Sequence, residues 1–297
     1  MQRQLNGKPG EKTKHGLAAG DVRPERSDWT MDQGWANYSA EEHAVWRTLF
    51  ERQSKLLPGR ACDEFVAGMK NLPIGPEQIP DFLALSEVLM KKTSWQVVAV
   101  PGLVPDDVFF DHLANRRFPA GNFLRKPHQL DYLEEPDVFH DVFGHVPMLM
   151  NPVIADYIQA YGQGGLRARE LGVLDKLARV YWYSVEFGLV RQKDGLRIYG
   201  AGIASSASES VFALDDPSPN RIRFELERVM RTNYRIDDFQ ETYFVIDSLD
   251  QLLELGRIDF APVYERVRRQ PDYEAGTVLP ADEVITRGSG SYPKNAR

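Results

Sequence analysis

The stretch EPDVFHDVFGH, residues 135–145, decides how this chain is read. It sets His140 and His145 five residues apart in a chain of 297 residues that holds six histidines. Pro136, with Glu134, Glu135 and Asp137 around it, suits the first turn of a helix. On an unbroken α-helix five residues turn a side chain through about 500°, which leaves the two imidazoles roughly 140° apart. The zinc-hydrolase pattern H-E-x-x-H uses four residues and leaves its ligands about 40° apart. An α-helix therefore does not aim this pair at one ion. A helix that ends at Gly144 would free His145 to turn back.

A metal needs more ligands than two. His15 is near the N-terminus, His43 is on an amphipathic helix, and His112 and His128 have no spacing to recommend them. Cys62 is the only cysteine, so a thiolate cluster and an internal disulfide are both excluded. The natural third ligand is a carboxylate. Glu186, in YWYSVEFGLV (181–190), is the only charged residue between Arg179 and Arg191. Burying it without a partner would be costly. Two histidines and one carboxylate on one face of an octahedral iron(II) form a facial triad with positions left for oxygen. The bland alternatives stay open here. Histidines at this spacing are more often structural, and Glu186 could pair with Arg179 or a more distant arginine.

The rest of the chain bounds the answer. An apolar fraction of 42% supports a sizeable core, and a net charge of -7 gives no general attraction to nucleic acid or anionic lipid. The longest mostly apolar run, WQVVAVPGLVP (95–105), is far short of the roughly 20 residues of a membrane span. The first 30 residues contain no signal-peptide core. These features predict a soluble, cytoplasmic protein. Residues 1–30 are expected to be a disordered tail, 31–270 one catalytic domain, and 271–297 a flexible C-terminal tail.

The domain reads as mainly α with a few short β-strands. YSAEEHAVWRTLFERQSKLL offers Ser39 as an N-cap with Glu42 three residues on, and Val45, Leu49 and Phe50 on one face. Residues 80–92 repeat the helical pattern, WQVVAV is a strand ended by Pro101, and PDDVFFDHLANRR begins a helix with acids in its first turn. Residues 166–191 read as one buried helix through Leu174, Leu177, Val180, Tyr181, Val185 and Leu189. Short strands are expected near RIYGAG and ETYFVID.

Three segments in this order, EEPDVFHDVFGHVP (134–147), YWYSVEFGLV (181–190) and YGAGIASSASES (199–210), resemble the pterin-dependent aromatic amino-acid hydroxylases. The likeness runs over about residues 35–265 and is strongest to the bacterial phenylalanine-hydroxylating branch. It implies that His140, His145 and Glu186 bind iron(II). It implies that PGLVPDDVFF (101–110) is the pterin loop, with Gly102, Val104 and Asp106 along the pterin edge, Phe109 stacked on its ring and Tyr181 close to pterin and iron. The cofactor would be tetrahydrobiopterin or a bacterial analogue. Arg125 would hold the substrate carboxylate, with Asp137 orienting it. Tyr132, Leu133, Trp182, Phe187 and Ser205 would shape the amino-acid pocket. Glu209 would stand near Ser205 and His140. Glu135 or Asp141 would steer protons or water. The substrates would be phenylalanine and O2, and iron, oxygen and pterin would together make the group that attacks the ring.

The chain departs from the pattern at Leu133, where animal members have a threonine, and at Asn122 and Phe123 in FPAGNFLRKP (118–127), where bacterial relatives have a WWLR-like run. Ile236 stands where tyrosine hydroxylases carry an acid, which favours phenylalanine. An apolar pocket rejects an added hydroxyl only about 10²-fold, so activity on another ring such as that of tryptophan is the alternative. A zinc hydrolase and a non-catalytic amino-acid-binding module are the other rivals. With no regulatory domain ahead of the catalytic region and no heptad pattern at the C-terminus, the expectation is an unregulated monomer.

Overall fold

Ser39 opens the first long helix as its sequence predicts. Its hydroxyl accepts from the Glu42 N–H while the Glu42 carboxylate accepts from the Ser39 N–H, a closed capping box. This helix, α1 (Ala40–Leu56), buries Val45, Trp46, Leu49 and Gln53. The structure is a computed structural model that describes residues 26–131, 133 and 135–291. Helix accounts for about 49% of the chain and strand for 13%, so the fold is mainly α with minor β, in a single domain.

After α2 (Asp63–Asn71) and α3 (Phe82–Thr93) come β1 (Gln96–Val100), α4 (Asp106–Ala114) and β2 (Arg117–Gly121). The two strands pair in parallel from Gln96↔Arg117 to Val100↔Gly121, with α4 as the crossover. The long helix α5 (Pro152–Glu170) lies against α4, where Tyr161 packs on Phe110 at 5.6 Å between ring centres. A five-stranded sheet follows in the order β4-β3-β6-β5-β7. Its strands are β3 (Leu189–Gln192), β4 (Gly195–Ile198), β5 (Asn220–Arg223), β6 (Thr242–Ile246) and β7 (Val284–Thr286). All five residues of β6 are buried, as a central strand requires.

Three expectations are corrected. Residues 166–191 are not one helix. α5 stops at Glu170, Gly172 takes the left-handed backbone (φ 66°) that ends helices, and α6 (Leu174–Tyr181) starts anew. A π-helix, Trp182–Glu186, then runs on from α6 before β3 begins. The expected apolar face survives the break, with Leu177, Val180, Tyr181 and Val185 all buried.

The C-terminal segment is not a loose tail as far as Ser291. Asp272 takes Lys176 at 2.5 Å and Arg179 at 2.8 Å, Asp282 takes the buried Arg228 at 2.9 Å, and β7 pairs with β5. The N-terminal tail lies outside the described residues up to residue 25. From Arg26 the chain is already tied down: the Asp28 carbonyl is bonded to His112 Nε2 at 2.8 Å, and Met31 bridges to Ala99.

Candidate metal centre

His140 and His145 lie on a π-helix, Phe139–His145. A π-helix closes i→i+5 hydrogen bonds, so the residue five further along returns to the side from which the first points. The spacing that an α-helix rejects is the one this helix satisfies. The two Nε2 atoms stand 3.2 Å apart. Gly144 does not end the helix, contrary to expectation; it lies inside it. A Cβ there would stand 2.9 Å from the Ala201 carbonyl oxygen, so the missing side chain lets α7 (Ala201–Ala204) pack directly on the histidine helix.

Glu186 ends the second π-helix. Its Oε1 is 3.3 Å from His145 Nε2 and its Oε2 is 3.5 Å from His140 Nε2. Among the described residues these three form the one His/Cys/Asp/Glu group placed to hold a metal ion. Arg179, the other candidate partner for Glu186, is instead engaged by Asp272 and by the Met230 carbonyl. The YGAG turn passes directly behind Glu186, because Gly200 has no Cβ to strike the Glu186 carbonyl, 2.4 Å from where one would be.

The tautomer of His140 follows from its neighbour. Ser205 Oγ lies 2.8 Å from the Ala201 carbonyl, which only accepts, so the hydroxyl proton goes there. Ser205 Oγ then accepts from His140 Nδ1–H at 3.0 Å, and the Nε2 lone pair faces His145 and Glu186. Burial holds the His140 imidazole below its usual range, at about 4. Burial would raise the Glu186 carboxyl, but the facing His145 and His140 bring it down to about 2. A neutral imidazole and an ionised carboxylate are the states a metal requires of its ligands. One ion about 2.1 Å from each donor fits between groups at these separations. Two imidazoles and a carboxylate, without sulfur, suit iron(II) with positions left open.

Asp137 joins this helix to Arg125. It is fully buried and accepts from Arg125 Nε (2.8 Å), Arg125 Nη2 (3.0 Å), the Arg125 N–H (2.9 Å) and the His140 N–H (3.0 Å). Burial would raise its carboxyl, yet the Arg125 guanidinium brings it below the usual carboxylate range. Among the described residues the only other bond of the guanidinium is a long one, 3.4 Å from Nη1 to the Leu130 carbonyl, so against these residues N–H groups remain for a ligand. Asp141, on the same helix, accepts from the Gly121 N–H at 2.8 Å and so fixes the end of β2 beside the histidines.

On the other side stand the aromatic residues. Phe109, half-buried on α4, meets Tyr181 edge-on at 6.0 Å, and Tyr181 lies over His145 at 6.3 Å. Val104 is buried, Gly102 and Asp106 are half-buried, and the Glu135 carboxylate lies against Gly102. Trp182 packs on Phe187 at 4.3 Å and stacks on Tyr234 at 4.7 Å. Glu209, which the family likeness sets near Ser205 and His140, accepts at its carboxylate from the Tyr243 hydroxyl and, at 3.4 Å, from the Gln240 N–H. Gln240 in turn accepts from the Trp182 indole at 2.7 Å.

The departures have simple settings. The Asn122 carbonyl accepts from Tyr38 and the Phe123 carbonyl from Val138, so backbone fixes both residues. Leu133 is half-buried, Ile236 is 43% exposed, and Tyr132 lies outside the described residues. His43 and His112 have structural tasks, accepting from the Ile79 N–H and bonding the Asp28 carbonyl. Tyr234 and Gln240 went unrecognised in the sequence, since neither carries a spacing or charge signal.

Similarity to known proteins spans the segments that build this site. A family model described as biopterin-dependent aromatic amino acid hydroxylase matches residues 32–267. The phenylalanine-4-hydroxylase of Caulobacter vibrioides is 63% identical over 277 residues, which are 93% of this chain and 94% of that one. That of Ralstonia nicotianae is 60% identical over 96% of this chain and 90% of its own. The iron- and phenylalanine-bound crystal structure of the Chromobacterium violaceum phenylalanine hydroxylase superposes with a TM-score of 0.85 at 56% identity, covering 89% of this chain and 96% of that one. A second structure of that enzyme, holding iron(III) and 7,8-dihydrobiopterin, gives 0.85 at 58% identity, covering 89% of this chain and 95% of that one. With the match spanning the histidine helix, the glutamate helix and the turn behind them, this chain belongs to the biopterin-dependent aromatic amino acid hydroxylase family.

Proposed function

We propose that this chain is an iron(II)- and tetrahydropterin-dependent phenylalanine 4-monooxygenase, converting L-phenylalanine to L-tyrosine with O2. The observation that carries the reading is the His140–His145–Glu186 group, with His140 turned inward by Ser205, in a chain 63% identical to a phenylalanine-4-hydroxylase. The relatives' bound iron, pterin and phenylalanine support each part of it.

His140, His145 and Glu186 would hold the iron. When bound, iron(II) and the tetrahydropterin supply the electrons and the open coordination positions that activate O2 for insertion of one oxygen atom into the ring. The chain's own residues do the positioning. Arg125 grips the substrate carboxylate through the N–H groups that Asp137 leaves over, and Asp137 keeps the guanidinium fixed to the first turn of the histidine helix. Ser205 keeps the proton on His140 Nδ1. Trp182, Phe187 and Leu133 shape the ring site, while Phe109 and Tyr181 flank the pterin, with Gly102, Val104 and Asp106 along its edge. Tyr132 and Glu209 complete the pocket in this reading. The enzyme works as a cytoplasmic monomer on small molecules; the net charge of -7 and the single cysteine support this, and among the described residues no helix is long and apolar enough to cross a membrane.

Tryptophan is the alternative substrate, and the apolar Ile236 favours phenylalanine over a ring bearing a hydroxyl. The zinc-hydrolase reading fails to use the π-helix, which sets ligands five rather than four apart. The test is tyrosine formation by protein stripped of metal, reloaded with iron(II) and given tetrahydropterin, O2 and phenylalanine. Product that needs iron, pterin and His140, and that zinc does not support, is expected. Hydrolytic activity with zinc, or phenylalanine binding with no product on iron loading, would overturn the proposal.

A further inference from the structure

We propose that Gln240 is a positioning residue that sets which aromatic ring the site accepts, acting through Trp182; this rests on the reading of Trp182 as a wall of the amino-acid pocket. Gln240 is 1% exposed and lies on neither helix nor strand, just before β6. Both ends of its side-chain amide are used. Oε1 accepts from the Trp182 indole N–H at 2.7 Å, and Nε2 donates to the Arg235 carbonyl at 2.9 Å and, more distantly, to the Asp238 carbonyl at 3.5 Å. Its own N–H donates to the Glu209 carboxylate, which also takes the Tyr243 hydroxyl. Only one orientation of the amide works, because a flip would set oxygen against carbonyls and N–H against N–H.

Trp182 is then held in two ways. Tyr234 stacks on its face (4.7 Å, 25°) and Phe187 leans on it (4.3 Å, 43°), which fixes the plane of the indole. Stacking leaves the ring free to slide and turn within its plane. The hydrogen bond to Gln240 removes that freedom and so decides where the half-buried edge of the indole lies, four residues before Glu186. The same amide ties down residues 235–238, which carry the exposed Ile236. One buried side chain thus couples the aromatic wall to the segment that carries Ile236.

The test uses the full-length, iron-loaded enzyme with phenylalanine and tryptophan as competing substrates. Gln240→Met keeps the length and loses every side-chain bond. The loss of one buried bond predicts a KM for phenylalanine raised about tenfold and a phenylalanine-to-tryptophan kcat/KM ratio lowered at least about fivefold, with the KM for tetrahydropterin within about twofold. Gln240→Glu keeps an acceptor for the indole but sets its second oxygen against the Arg235 and Asp238 carbonyls, so it recovers only part of the loss. In a Trp182→Phe background Gln240→Met adds less than about twofold. Should the methionine variant not fold, Gln240→Asn, which keeps the amide but cannot reach the indole, carries the same expectation. The near-UV circular dichroism of Trp182, taken as the difference from Trp182→Phe, reports the indole without turnover and should change in Gln240→Met. Effects of Gln240 and Trp182 that simply multiply, or a loss of kcat with the KM and the ratio unmoved, would overturn the proposal. Wild-type enzyme that makes no tyrosine would instead remove the proposed function, while the dichroism difference would still report whether Gln240 holds the indole.

Discussion

Ser205→Ala removes the atom that accepts the His140 Nδ1 proton while leaving every metal-binding atom in place. In the structure that bond is 3.0 Å, and Ser205 is 7% exposed, so water does not readily replace it. A buried donor left without a partner costs about 1–3 kcal/mol. Loss of the partner that orients a metal-binding histidine typically weakens metal affinity by about 10–100-fold. The two figures agree, since each 1.4 kcal/mol is about tenfold at room temperature. A cost near the middle, ~2 kcal/mol, predicts an iron(II) Kd weaker by about 30-fold. The assay is anaerobic competition with a chromophoric chelator. Ser206→Ala is the control: it removes a helix cap, the bond from the Glu209 N–H, but touches neither histidine, so the Kd should stay within about twofold. Ser205→Thr should fall near wild type because the hydroxyl remains. An unchanged Kd in Ser205→Ala would show that His140 is not oriented by this bond, and the tautomer argument would fall with it.

Asp137→Asn leaves the buried Arg125 guanidinium without its counter-charge, and removing one member of such a pair costs about 3–5 kcal/mol; denaturant unfolding should show that loss together with a raised KM for phenylalanine. The Asp272 carboxyl would be raised by burial but is brought below its usual range by hydrogen bonds from Arg179 and Lys176. Its contribution is therefore complete above the unfolded value of about 3.9 and fades as pH falls through the folded one. Pepsin should begin to cut beyond residue 270 only below about pH 4, and Asp272→Asn should expose that segment at higher pH, with no acid step left. Ending the chain after Gln270 removes Asp282 from the buried Arg228 as well as β7 from the sheet; a lowered Tm is expected, by more than Asp272→Asn alone produces.

What could be read from the sequence differed from residue to residue for physical reasons. Ser39 and Glu42 announced α1 because a capping box is a local interaction between residues three apart. Glu186 was visible because a single charge among aromatic and aliphatic residues has few ways to be stable. The convergence of the two histidines is not legible from their spacing, since nothing in FHDVFGH specifies the wider turn of a π-helix. That turn depends on distant contacts such as Ala201 against Gly144. Gly172 did signal a helix end, but the apolar face running through it masked the break. The polar C-terminal segment looked mobile because its anchors, Lys176, Arg179 and Arg228, lie some 50 to 100 residues away. Gln240 gave no signal at all: its importance lies in what its amide meets, and a glutamine before a strand has no local pattern. Arg125 and Asp137 were assigned through family likeness; their four-bond arrangement depends on a fold that brings together residues 12 apart.

The most direct test of the central claim is a crystal structure of the iron(II)-loaded protein with anomalous data collected on both sides of the iron edge. The account predicts one iron peak, bonded to His140 Nε2, His145 Nε2 and Glu186, with both histidines on the same π-helical turn. A peak elsewhere, or one bonded to only one of the two histidines because the helix has rewound to α geometry, would contradict it.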